Sequence, residues 1–167
     1  AIAWLAACSD GGDAAIGGGG ALGPLSSYDL AQRDYIDNSV INGSGGTYGG
    51  LVHVAAGVEP PAGSFDRALE KMNMRDDTSD FNLPGLLTLL YRYGDAEVLD
   101  PVIRQAIEDE VVRFKYWPDE LEEVADTTDV QNMVTWTENH YILFSSGAYL
   151  AGQLYPERVF AASGRTG

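Results

Sequence analysis

The chain has 167 residues, 45% of them hydrophobic, with 25 Asp and Glu against 10 Lys and Arg and a formal net charge of -15. This is about one domain in length, and the acid excess excludes a nucleic-acid backbone as partner, because phosphate recognition needs stripes of Lys and Arg that are absent. A neutral ligand is indifferent to that field, whereas an anionic one needs a local positive cluster to overcome it.

Ala1 to Ala7 is apolar and runs into the only cysteine, Cys8, so no internal disulfide framework is available. Leu5-Ala6-Ala7-Cys8 resembles the bacterial lipoprotein signal, which implies cleavage before Cys8, its lipidation, and a protein anchored to the membrane in the bacterial cell envelope. The alternative is a chance apolar stretch with one thiol. Residues 9–26 follow, with four glycines in a row at 17–20, and glycine-rich sequence of this kind reads as a flexible linker. No Lys-Ser/Thr follows the glycines, so they are not a phosphate loop.

Residues 27–167 form the expected domain. Tyr28, Ala31, Tyr35 and Val40 give helical spacing over Tyr28–Val40. Asn42 to Gly50 reads as loop, and Leu51-Val52-His53-Val54-Ala55 as a short strand before the Pro60-Pro61 breaker, with His53 structural. Ser64 is placed to cap a helix carrying Phe65, Leu69 and Met72. Asp76 to Asp80 reads as a solvated turn, since its spacing lacks the glycine and distal Glu of a calcium loop. No cofactor and no metal are assigned.

Asn82-Leu83-Pro84 is expected to start a leucine-rich helix closed by Gly94, and Asp100-Pro101 supplies an N-cap and N1 proline for a second helix over 101–116. Ile103, Ile107, Val111 and Phe114 form its apolar stripe, so the two helices make a hairpin. Six acids and no base lie between Asp119 and Asp129, which reads as a solvated loop bracketed by Trp117 and Trp136. The chain is expected to be organised around the stretch that follows. Thr137 is a suitable N-cap, Glu138 suits the positive end of a helix dipole, and Asn139 and His140 complete a polar cluster at the mouth of a segment apolar nearly all round, hence an interior helix.

Asn139-His140 at the head of this helix, with Leu150-Ala151-Gly152-Gln153-Leu154-Tyr155-Pro156-Glu157 at its end, resembles the Asn-His motif of the heparinase II/III-like and alginate-lyase-like polysaccharide lyases. The resemblance covers roughly residues 82–160 as hairpin architecture, with specific identity over about twenty residues. It implies a mainly α fold, an incomplete (α/α) toroid truncated at Gly167, and β-elimination on a uronate polymer. Asn139 would then bind the substrate carboxylate, His140 would assist or take a proton, and Trp117, Trp136 and Tyr141 would bind sugar. Glu138 motivates a second reading, a glycoside hydrolase of the six-hairpin toroid type with a partner acid from 119–129. In a third the chain is a glycan-binding lipoprotein without catalysis, and Asn139 and His140 only cap the helix.

Overall fold

The computed structural model describes residues 25–75, 79–117 and 138–167. The described chain is mainly helical: α1 (Ser27–Ile41), α2 (Gly46–Ala55), α3 (Asp66–Met74), α4 (Ser79–Tyr93), α5 (Pro101–Arg113) and α6 (Glu138–Leu154), then a small antiparallel hairpin of β1 (Val159–Phe160) and β2 (Arg165–Thr166). Residues 1–24, with Cys8 and the glycine run, lie outside the described residues, as do Trp136, Thr137 and the acids of 119–129. Among the described residues no helix is long and apolar enough to cross a membrane.

Five leucines within eight positions, Leu83 to Leu90, are too many for one face of a surface helix. α4 is accordingly the central element, touching α2, α3, α5 and α6, with Leu83, Leu86, Leu87 and Leu89 almost completely buried. It begins at Ser79, earlier than its Pro84 suggested. Near the start of a helix a proline forfeits a single backbone bond, and the first-turn acid Asp80 suits the positive end of the dipole. The acidic run is therefore no simple solvated turn: Asp80 is buried.

The glycine-rich loop and the strand expected over 42–55 are instead largely one helix, α2. Its glycines serve close approach. A Cβ on Gly50 would lie 2.7 Å from the Phe65 ring, and one on Gly85 of α4 would lie 2.9 Å from Thr47 of α2. His53 is buried, with Nδ1 2.8 Å from the Gly49 carbonyl oxygen one turn back.

α1 opens with a capping box in which Ser26 and Asp29 satisfy each other's backbone N–H groups. It packs on α2 and buries no residue of its own. Ahead of α3, Ser64 donates its hydroxyl to the Pro61 carbonyl rather than capping the helix, and Phe65 takes the N-cap position. Asp100 caps α5 by accepting from the Val102 N–H at 2.7 Å, with Pro101 at N1. Ile107, Val111 and Phe114 fill the core, but the helix stops at Arg113 and the chain continues without helix through Phe114 to Tyr116, whose hydroxyl donates to the Val111 carbonyl.

α6 is not an interior helix. It lies on α4 through Phe144, Gly147 and Ala151, spaced by three and four residues, while Tyr141, Ile142 and Tyr149 stand exposed on its outer side. Gly147 permits the contact, since the Leu83 side chain occupies the space a Cβ would need.

Candidate functional site

The N-termini of α4 and α6 meet, and with them two side chains sixty residues apart: His140 Nδ1 lies 2.8 Å from Asp80 Oδ2. The histidine side chain is 15% exposed and the aspartate 1%. His140 belongs to the inward stripe of α6, four residues before Phe144, and Asp80 to the inward stripe of α4, three before Leu83. Burial pushes the Asp80 carboxyl above its usual value, and the His140 hydrogen bond and the backbone amides of Asp80 and Phe81 oppose that only in part.

A carboxylate can only accept, so with Asp80 ionised the Nδ1 proton belongs to the imidazole and Nε2 carries the lone pair. The contact holds the ring orientation, and with Asp80 ionised and the imidazole neutral it favours the tautomer protonated at Nδ1. Phe81 packs against the imidazole with ring centroids 5.2 Å apart and planes at 85°, and the Tyr48 hydroxyl donates to the Phe81 carbonyl at 3.3 Å.

Glu138 and Asn139 are exposed, and neither shares the direction of His140, because successive helix residues project about 100° apart. Of the expected sugar-binding aromatics, Trp117 and Tyr141 come together, centroids 5.9 Å apart at 63°, with Tyr141 on the outer side of α6. Trp136 and any acid partner of Glu138 within 119–129 lie outside the described residues. Among the described residues no group of three or more His, Cys, Asp or Glu converges as a metal-ligand set.

Asp80 and Phe81 were missed in the sequence. The signal for Asp80 was its register: Asp80, Leu83 and Leu87 follow helical spacing, which places this one acid of the run on the buried face. No family model, curated protein or solved structure matches the chain.

Proposed function

We propose that the chain is part of a carbohydrate-active (α/α)-toroid lipoprotein that cleaves a uronate-containing polysaccharide by β-elimination, held to the bacterial envelope through a lipid on Cys8 and the glycine-rich tether. The hairpin of α4 and α5 and the mainly helical packing around it support the toroid. One observation carries the chemistry: His140 is held at Nδ1 by buried Asp80, a contact in which a neutral imidazole facing an ionised Asp80 keeps Nε2 as its proton acceptor.

In this reaction Nε2 removes the proton α to the uronate carboxylate, and the electron pair passes into the carboxylate as an enolate-like state. The substrate lies across the first turn of α6, so that exposed Asn139, which projects about 100° from His140, donates its amide to that carboxylate where charge develops. The enolate collapses, a carbon–carbon double bond forms, the bond to the glycosidic oxygen at the β carbon breaks, and the departing oxygen takes its proton from the imidazolium. Trp117 and Tyr141, packed against each other, offer aromatic surface to a sugar of the substrate.

Incubating the protein with polygalacturonate, alginate and hyaluronan while following ultraviolet absorbance of the unsaturated product tests this. New absorbance that disappears in His140→Ala and Asn139→Ala is the expected result. Reducing ends without absorbance would replace the lyase with a hydrolase centred on Glu138, and no cleavage would leave Asn139 and His140 as helix-end residues of a binding protein.

A further inference from the structure

The contact between Asp80 and His140 uses one carboxylate oxygen, Oδ2. The other, Oδ1, and the hydroxyl oxygen of the preceding residue, Ser79, are both buried and meet no protein donor or acceptor. Ser79 and Asp80 are each 1% exposed, at the N-terminus of the fifteen-residue helix α4. Buried polar atoms are nearly always paired, with protein or with an enclosed water, so two such oxygens on consecutive residues mark a place for a ligand. Its occupant is small and uncharged. The lack of exposure leaves no opening for an organic molecule, the positive end of the α4 dipole opposes a cation, and the Asp80 carboxylate opposes an anion. Water meets these demands: it donates one O–H to Oδ1, bonds the Ser79 hydroxyl as donor or acceptor, and bridges oxygens up to about 5.6 Å apart.

We propose that Ser79 is a positioning residue: its hydroxyl and Asp80 Oδ1 share one enclosed water, which holds Asp80 in the accepting form that faces His140. Burial favours the neutral carboxyl, and the hydrogen bonds from His140 and from the backbone amides of Asp80 and Phe81 oppose this. A water donating to Oδ1 adds to that opposition. Among the described residues His140 is the charged group that acts on Asp80. Ser79 acts through Asp80 and not by contact, since its hydroxyl makes no hydrogen bond to the imidazole. Its part in keeping a proton acceptor at Nε2 rests on the lyase reading above, whereas the water and its effect on Asp80 do not.

A crystal structure of the full chain that resolves ordered water, and carbon-13 NMR titration of the Asp80 carboxyl, test this without any substrate. One water within about 2.5–3.0 Å of both Ser79 Oγ and Asp80 Oδ1 is expected. In Ser79→Ala the Asp80 carboxyl is expected to titrate about one pH unit higher than in the parent. A direct hydrogen bond between Ser79 and Asp80 with no water between them, or an Asp80 titration unmoved by Ser79→Ala, overturns the proposal. The crystal structure uses the parent chain, so it decides the water even where Ser79→Ala does not fold. Both expected results in a protein that cleaves no uronate polymer retain the water and the role of Ser79 toward Asp80, and remove the lyase.

Discussion

The contact between His140 and Asp80 is a local arrangement with separable chemical and structural consequences. Asp80→Asn keeps the shape of the side chain but replaces the obligate acceptor with a group that can also donate, so the Nδ1 tautomer is no longer enforced. We expect kcat on the cleaved uronate polymer to fall by about 10²-fold or more with KM little changed, a split that mere loosening of the fold would not produce. Asp80→Ala also leaves the imidazole facing a cavity, and urea denaturation should show a loss of about 1–3 kcal/mol. Part of this site could be read without coordinates. Asn139 and His140 stand out as chemistry-bearing residues ahead of an apolar segment, but nothing local to His140 names a partner sixty positions earlier. The same run of acids that contains Asp80 has the composition of a solvated turn, and only the helical register beginning at Ser79 turns one of its members inward.

At the scale of elements, small residues decide which helices approach closely. Gly147 lets α6 lie against Leu83, so Gly147→Ala should destabilise the fold by about 1–3 kcal/mol through overpacking, despite the better helix propensity of alanine; thermal unfolding measures it. Asp100→Ala removes the α5 cap and should cost about 1 kcal/mol in the same measurement. Glycine also explains why α2 reads as loop and strand. Its glycines lower helix propensity, while the packing of Thr47, Gly50 and Val54 against neighbouring elements repays that deficit. α6 misleads in the opposite direction: its sequence is apolar on nearly every side, yet exposed Tyr141, Ile142 and Tyr149 line the outer face.

Across the whole molecule the acid excess meets its sharpest constraint where carboxylates are buried. Glu110 of α5 is buried beside Arg113, whose guanidinium also bonds Asn73 of α3. Burial pushes the Glu110 carboxyl above its ordinary value of 4.5, and Arg113 and Arg75 only partly oppose this. The folded state therefore holds this proton more tightly than the unfolded state. Its contribution to stability is fully present below about pH 4.5 and is lost as pH rises through the folded-state value. Urea unfolding from pH 4 to pH 7 should accordingly show the stability of the parent chain declining with pH relative to Glu110→Gln, which has no proton to lose.

The sequence by itself determined the mainly helical class, the leucine-rich segment, the Asp100-Pro101 start of α5 and the polar residues that open α6, because periodicity and capping act within a few neighbouring residues. Only the tertiary structure decided that α4 is the centre, that α6 lies on the outside with its histidine turned inward, and that Asp80 is the partner of that histidine. Those outcomes depend on which faces meet. A helix crossing is set by the volumes of side chains on two distant segments at once, and neither segment carries that information alone.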